Sequence, residues 1–194
     1  MPGVVHMRHT HLPEHKFVKG QPETGKELAD DLERIALNFG SENIAACIVE
    51  PISGSTGTLV PPKGYLKRLR EICNKHDILL IFDEVITGWG RTGSSFASKE
   101  YGVTPDLMTM AKATTNGIVP MGVVAVKEEI YDTIVNASPD GVIELFHGYT
   151  YSGIPVAVAA ALAVQDIFEK EDIFNRAKSL SSYFLDGLFS LRDI

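Results

Sequence analysis

Two carboxylates stand directly behind an apolar run, in a position where they could take part in chemistry. Asp83 and Glu84 follow the apolar residues 78–82. Carboxylates at the end of a buried strand lie at the edge of the core, where partial desolvation and a fixed partner can tune their protonation. The alternative is that both are solvated residues that cap the next turn, and spacing alone leaves the two interpretations open.

The amine of Lys112 is a second candidate, because it lies between the largely apolar residues 107–111 and the turn-forming pair Asn116-Gly117. An isolated lysine of this kind usually extends its ammonium group to solvent along an apolar surface. A desolvated lysine, in contrast, favours its neutral form, which can attack an aldehyde and form a Schiff base. The surroundings of Lys112 therefore decide between a surface residue and a nucleophile.

Histidines offer weaker candidates. His147 lies in the aromatic and hydroxyl-rich segment 146–153, but no Gly-x-Ser-x-Gly motif or cysteine accompanies it. We interpret His147 as a packing residue. His6, His9 and His11 match no standard spacing of metal ligands, and no cysteine or aspartate joins them, so we expect a polar loop rather than a metal site.

A glycine pattern in the segment 88–93 has to be distinguished from a dinucleotide-binding fingerprint. Gly88, Gly90 and Gly93 have the required spacing and follow a predicted strand. In a true fingerprint the first glycine makes the strand-to-helix turn, whereas here the glycines begin five residues after Asp83 and no apolar-periodic helix follows them. A nicotinamide-dependent oxidoreductase is therefore the least favoured interpretation.

Hydrophobic periodicity predicts an α/β fold with a mostly parallel sheet and flanking helices. Two continuously apolar segments joined by a helical pattern form a βαβ unit, and loops at the carboxyl ends of such strands are where α/β sheets place their chemistry. Only about four strands are recognisable, so the sheet looks incomplete against the usual ~5–6. We predict helices over 24–38, 63–76, 155–168 and from 173 onward, and buried or short strands over 44–49, 78–82, 107–110 and 121–126.

The composition favours a soluble protein of the cytoplasm. The chain has 194 residues, of which 44% are hydrophobic, and its 25 acidic against 18 basic residues give a net charge of −7. The basic residues form no stripe that could follow a nucleic-acid backbone. No apolar run approaches the ~20 residues of a membrane-spanning helix, and the N-terminus lacks the features of a secretory signal. Cys47 and Cys73 both fall in apolar patterns, so we expect free thiols.

Taken together, these segments resemble the class III aminotransferases, which are fold-type-I pyridoxal-phosphate enzymes. The similarity covers most of the chain from about Ile44 to Pro155, with several motifs in one order and at consistent spacing. The motifs are Ile48-Val49-Glu50-Pro51, Pro61-Pro62-Lys63-Gly64-Tyr65-Leu66, Asp83-Glu84-Val85-Ile86-Thr87-Gly88, Gly90-Arg91-Thr92-Gly93, Pro105-Asp106, Ala111-Lys112 and His147-Gly148-Tyr149-Thr150-Tyr151-Ser152. The resemblance implies that residues 1–172 are part of the large domain, with an irregular lead-in over 1–23, and that 173–194 begin the small domain.

The resemblance also implies roles for individual residues. Lys112 would be the Schiff-base lysine and would move a proton during the reaction. Asp83 would pair with the ring nitrogen of pyridoxal 5'-phosphate, while Val85 and Ile86 would contact the cofactor. Thr150 would reach the phosphate of the cofactor bound in the neighbouring subunit, so that the active site belongs to a homodimer.

Glu50 and Tyr149 are the positions that the resemblance assigns to substrate binding. In the family, the residue at Glu50 pairs with a carboxylate-binding arginine of the C-terminal domain, which would lie beyond Ile194, and the phosphate-binding loop would precede Met1. We therefore expect a fragment that binds the cofactor weakly by itself, with partly uncovered apolar faces on its strands and its Ala-rich helix. A non-catalytic relic of the family is the alternative.

Within the family, the chain is most similar to the omega-amino-acid:pyruvate and β-alanine:pyruvate branch, chiefly in the segments 114–122 and 147–152. Enzymes of the ornithine and GABA branches usually carry glutamine where this chain has Ile86, which argues against those two substrates. The implied reaction is the transfer of an amino group from an amino acid or omega-amino acid to a 2-oxo acid such as pyruvate, by a ping-pong mechanism.

Overall fold

A four-stranded sheet organises the part of the chain that this computed structural model describes, namely residues 3–145, 147 and 149–193. Its strands lie in the order β1-β2-β3-β4. The first three are parallel, and β4 runs antiparallel to β3. The predicted α/β fold with a mostly parallel sheet is confirmed. The strands are β1 Ala46–Val49, β2 Leu79–Asp83, β3 Leu107–Met110 and β4 Val123–Val126.

Four helices form where the sequence predicts them, and two further helices were not predicted. The predicted helices form as α1, α2, α5 and α6. Of the other two, α3 is only five residues long, and α4 spans nine residues and buries none of them. No helix within the described residues is long and apolar enough to cross a bilayer. The helices are α1 Asp30–Phe39, α2 Tyr65–His76, α3 Ala97–Tyr101, α4 Glu128–Asn136, α5 Pro155–Lys170 and α6 Ile173–Ser190, with short 3-10 turns at Pro13–His15, Lys26–Ala29, Ser41–Asn43, Lys112–Thr114 and Leu191–Asp193.

The core lies between one face of the sheet and the helices α1 and α2. Leu69 and Ile72 of α2 are fully buried, as are Leu80 and Phe82 of β2. Each such side chain stabilises the fold by about 1.5–3 kcal/mol relative to an exposed position. The predicted βαβ unit of β1, α2 and β2 therefore forms the stable centre of the chain. The two cysteines belong to this core as free thiols, as predicted.

The opposite face of the sheet is largely open. The strand register places Ile48, Ile81, Leu107 and Val126 in one row across the four strands. Ile48 is 63% exposed and Val126 is 44% exposed. The prediction that β1 is a fully buried strand is therefore wrong for this chain, because alternate side chains point to opposite faces and α1 and α2 cover only one of them. The expectation of partly uncovered apolar strand faces is confirmed.

Asp106, the residue just before β3, forms hydrogen bonds with α2, with β2 and with the residue after β4. Its Oδ2 accepts the backbone N–H of Leu80 and a hydrogen bond from Arg70 of α2, each at 2.7 Å. Its Oδ1 pairs with Lys127 at 2.7 Å. Burial alone would raise the pKa of Asp106, but the three hydrogen bonds outweigh it and hold the pKa below its ordinary value.

Candidate active site

Asp83 is the last residue of β2, at the carboxyl end of the strand. It is half-buried, and it pairs in register with Thr109 of β3. Its Oδ1 accepts the backbone N–H of Val85 at 3.0 Å, so a tight local turn fixes the direction of the carboxylate. The end of β2 therefore presents an oriented, partly desolvated carboxylate. This agrees with the interpretation of Asp83 as a tuned carboxylate rather than a solvated cap.

Glu84, the next residue, has a different environment. It is fully buried and accepts three hydrogen bonds, from Thr87 Oγ1 at 2.6 Å and from the backbone N–H groups of Ala97 and Ser98 at 2.8 and 2.7 Å. Its carboxylate thereby satisfies the free N–H groups at the start of α3. Glu84 is thus a structural residue, neither a solvated cap nor a free acid.

Ile86 brings the loop after β1 against the loop after β2. A Cβ atom added to Gly54 would lie only 2.6 Å from Ile86 Cδ1, so the absence of a side chain at this glycine allows the contact. The same glycine donates its N–H to Glu50 Oε2 at 2.9 Å. Three predicted site positions, Glu50, Val85 and Ile86, therefore belong to two adjoining loops at the carboxyl end of the sheet, and all three are half-buried.

Lys112 lies two residues beyond the end of β3, at the start of a 3-10 turn, and its side chain is exposed. Its backbone has φ +45°, a left-handed conformation that costs an L-residue roughly 1–2 kcal/mol. Such strain persists only where the surroundings impose it, and it is concentrated at functional sites. The structure thus supplies a strained, accessible lysine rather than the buried amine considered from the sequence.

Two residues that the sequence analysis did not single out hold this turn. The indole N–H of Trp89 donates to Thr114 Oγ1 at 3.0 Å. Thr114 in turn donates its hydroxyl to the carbonyl of Ala111 at 2.9 Å. The sequence signal for this contact was a tryptophan between two glycines. A half-buried indole N–H needs a hydrogen-bond acceptor, so such a tryptophan indicates a nearby polar partner.

The glycines of the segment 88–93 serve packing in this structure. At Gly90, which has φ +92°, an added Cβ would lie 2.8 Å from the ring of Phe174. At Gly93, which has φ +82°, it would lie 3.0 Å from Lys178 Cβ. Both neighbours are on α6, so these glycines let the loop approach that helix.

Thr150 and Tyr149 lie in the segment between α4 and α5, and both are exposed. Tyr149 is 71% exposed and its ring meets the ring of His147 edge-on. His147 was interpreted as a packing residue. It is exposed, and its ring packs only against Tyr149 among the ring contacts of the described residues. Phe146 and Gly148 of the same motif lie outside the described residues.

Asp83 and Lys112 are brought to the same edge of the sheet, because β2 and β3 are neighbouring parallel strands. Open α/β sheets bind ligands at the carboxyl ends of their strands. The edge therefore offers a fixed carboxylate, an accessible amine and the apolar side chains of Val85 and Ile86 between adjoining loops.

Comparison with known proteins assigns this arrangement to a family. Residues 1–193 match the profile of the family Aminotransferase class-III. The chain is 58% identical over 192 residues to an omega-aminotransferase of Caulobacter vibrioides, covering 98% of the chain and 44% of that protein. It is 51% identical over 191 residues to a beta-alanine–pyruvate aminotransferase of Pseudomonas aeruginosa, covering 97% and 43%.

Solved structures agree with the sequence comparison. An (S)-enantioselective omega-transaminase from Thermomicrobium roseum has a TM-score of 0.80 at 46% identity, covering 86% of this chain and 36% of that one. An amine transaminase from an uncultivated Pseudomonas species, in its pyridoxal-phosphate-bound form, has a TM-score of 0.84 at 40% identity, covering 95% and 41%. The chain spans less than half the length of the curated relatives it matches. It belongs to the class III aminotransferase family.

Proposed function

We propose that the intact protein containing this chain is a pyridoxal-phosphate-dependent aminotransferase that moves an amino group from an amino acid or omega-amino acid to pyruvate by a ping-pong mechanism. The observation that carries the proposal is the placement of Asp83 and Lys112 at the carboxyl ends of neighbouring parallel strands. Family membership supports it.

The residues at this edge of the sheet fit the cofactor by their chemistry. When bound, pyridoxal phosphate supplies an aldehyde that takes up amines and a ring that accepts an electron pair from the substrate carbon. Lys112 would hold the aldehyde end and Asp83 the ring nitrogen. Val85 and Ile86, which directly follow Asp83 in the same half-buried turn, would contact the ring.

Lys112 carries the proton transfer in this proposal. Its Nζ would hold the cofactor aldehyde when no substrate is bound, and as a free amine it would carry a proton between the substrate carbon and the aldehyde carbon of the cofactor. The side chain is exposed and extends from a backbone with φ +45°, so its amine is free to take either position.

Asp83 would keep a proton on the ring nitrogen. Its carboxylate, whose Oδ1 is oriented by the N–H of Val85, would accept the ring N–H. A charge-assisted hydrogen bond of this kind would favour the protonated nitrogen and make the ring a better electron acceptor.

Glu50, Tyr149 and Thr150 complete the proposal at the substrate and the partner subunit. Glu50 is oriented by its hydrogen bond from Gly54 and would position a carboxylate-binding arginine. Tyr149 would contact the substrate. Thr150 would reach the cofactor phosphate of the partner subunit in a homodimer.

The choice of substrates rests on the activities for which the relatives are named. Enzymes from Pseudomonas aeruginosa and Pseudomonas putida, at 51% and 49% identity, are named for β-alanine or omega-amino acids with pyruvate. A putrescine–pyruvate aminotransferase matches at 43% identity. Pyruvate is thus the acceptor common to all three, and an omega-amino acid is the donor class of the two more similar ones.

The experiment is an assay of the intact protein with pyridoxal phosphate and pyruvate, in which alanine formation is measured with β-alanine, 4-aminobutyrate or putrescine as donor. We expect alanine from β-alanine at a higher kcat/KM than from putrescine. A folded protein that takes up no pyridoxal phosphate would support the non-catalytic alternative. Stabilisation by NAD instead of pyridoxal phosphate would support the oxidoreductase.

A further inference from the structure

We propose that Trp89 and Thr114 are positioning residues for Lys112, and that their hydrogen-bonded relay fixes the left-handed backbone from which the lysine amine acts. The inference rests on the proposed function and names a part of the site that the family profile and the relatives do not assign. It follows from four observations on the loops after β2 and β3.

The relay joins the two strand ends that carry the chemistry. Trp89 belongs to the loop after β2, six residues beyond Asp83, and Thr114 belongs to the turn after β3, two residues beyond Lys112. The hydrogen bond from Trp89 Nε1 to Thr114 Oγ1 spans 3.0 Å and links positions that are 25 residues apart in the chain. A change in one loop is therefore transmitted to the other.

Thr114 uses its hydroxyl in both directions. It accepts the indole N–H and donates its own hydrogen to the Ala111 carbonyl at 2.9 Å. That carbonyl belongs to the peptide group directly before Lys112, whose orientation defines the φ angle of the lysine. The peptide group after Lys112 is held as well, because its carbonyl accepts the N–H of Gly117 at 3.2 Å.

The donor end of the relay has little freedom to move. The indole ring of Trp89 packs edge-on against Phe96 at a centroid distance of 5.1 Å, and against Phe168 of α5 at 6.1 Å. Its backbone N–H donates to Ser95 at 2.6 Å. Since packing holds the ring, the position of its N–H is fixed. The hydrogen bond from this N–H in turn fixes the side chain of Thr114, which is only 3% exposed.

The strain at Lys112 gives the relay its purpose. A left-handed backbone at a lysine returns to an ordinary conformation unless neighbouring bonds hold it. Removing the relay should therefore misdirect the amine without removing it. We expect kcat to fall about five- to tenfold, the ratio that follows from losing one ordinary hydrogen bond, while the KM for pyruvate stays unchanged.

The test uses the intact protein loaded with pyridoxal phosphate and three variants. Trp89→Phe keeps an aromatic ring against Phe96 and Phe168 but lacks the N–H. Thr114→Val keeps the shape but lacks the hydroxyl, and Thr114→Ser restores it. Because both bonds belong to one relay, the double variant W89F/T114V should lose little more than T114V alone.

Thr115→Val is the matched control. Thr115 is equally buried, at 2% exposure, but its hydroxyl donates to the Val119 carbonyl and not to Ala111. This variant loses a buried hydrogen bond of the same type one residue away, so it reports the structural part of the effect.

Two measurements besides activity separate positioning from folding. Hydrogen exchange at the Thr114 and Gly117 amides should speed up in W89F and T114V but not in T114S. The pH midpoint of the visible absorption of the bound cofactor should shift in the same two variants and stay in place in T115V.

The outcomes are distinct. If kcat, amide hydrogen exchange and the pH midpoint were unchanged in both W89F and T114V, the inference would be overturned. The proposed function would still stand in that case, provided that the wild type shows a visible cofactor band. An equal effect of T115V would overturn it too, as a purely structural contribution. A wild type without a cofactor band would overturn the proposed function, and hydrogen exchange would still decide whether the relay fixes the backbone at Lys112.

Discussion

The turn after β2 and the turn after β3 lie side by side, yet they hold their polar groups in opposite ways. After β2, Glu84 is fully buried and satisfied by three donors, and the neighbouring Asp83 is oriented by Val85. After β3, Lys112 is exposed and its backbone is strained. In the first turn, the buried Glu84 stabilises the fold beside the proposed cofactor partner Asp83, and the second turn holds the proposed catalytic amine. Variants of Glu84 should therefore affect stability, whereas variants of Asp83 and Lys112 should affect activity.

The largest effect is expected from Lys112→Ala. The variant should lose at least about a thousandfold in transamination, or about 4 kcal/mol of transition-state stabilisation, because no other amine is proposed to move the proton. The variant is not expected to destabilise the fold, because the side chain that it removes is exposed and alanine has the same backbone restriction as lysine. Steady-state kinetics and urea unfolding of the intact protein measure the two quantities. Lys99→Ala, on an exposed face of α3, is the control. Retained reducible attachment of the cofactor in K112A would contradict the assignment.

Asp83→Asn should reduce transamination by about ten- to a thousandfold while the cofactor stays bound, because an amide does not favour a protonated ring nitrogen. The half-reaction with β-alanine, followed by stopped-flow absorbance, isolates the step. Asp132→Asn, on the exposed helix α4, should leave the rate unchanged. A loss of less than about tenfold, or ~1.4 kcal/mol, would mean that Asp83 has another role.

Glu84→Gln should act on stability instead. The amide cannot accept from all of its buried donors, so the free energy of unfolding should fall by about 3 kcal/mol. Urea unfolding checks this expectation. Glu100→Gln is the control, because the Glu100 carboxylate also accepts a hydrogen bond from a hydroxyl, that of Ser94, but is exposed. If E84Q were as stable as the wild type and lost activity alone, the proposed division between stability and activity would fail.

The smallest effect concerns pH and the buried Asp106. Its pKa lies below the ordinary value of 3.8, because hydrogen bonds from Leu80, Lys127 and Arg70 outweigh its burial. The contribution to stability is therefore fully present above about pH 4 and is lost as the pH falls through the folded-state pKa. Asp106→Asn should flatten the acid limb of a plot of the free energy of unfolding against pH, because an amide does not titrate. If the acid limb were unchanged, the loss of stability in acid would instead be due to Asp31 and Glu33, whose pKa values are also lowered.

The sequence predicts elements whose side chains alternate between a core and the solvent. Helix α2 was located closely because its apolar residues recur at helical spacing, and β3 coincides with a short, largely apolar run. The prediction that β1 is buried holds for one face only, since an apolar run does not show that both faces of a strand are covered. Helix α3 is too short to show a period, whereas α4 has apolar residues at helical spacing, Ile130, Tyr131, Ile134 and Val135, that the prediction did not use.

In the site, motif order singles out Asp83 and Lys112, and the parallel pairing of β2 and β3 brings both to the same edge of the sheet. The roles of Glu84, Trp89 and Thr114 were not predicted, because each depends on a partner that is distant in sequence. Glu84 binds an amide 13 residues away, and Trp89 binds a hydroxyl 25 residues away. The domain boundary at residue 172 and the cross-subunit role of Thr150 stay predictions.

The cap that Glu84 provides for α3 has a consequence for the order of folding. A helix of five residues is far shorter than the ~12–15 residues needed for even marginal stability in isolation. Its first N–H groups are bound by a carboxylate that becomes fixed only when β2 has docked between β1 and β3. We therefore expect α3 to form late in folding, and the glycine-rich loop between β2 and α3 to close after the sheet has formed.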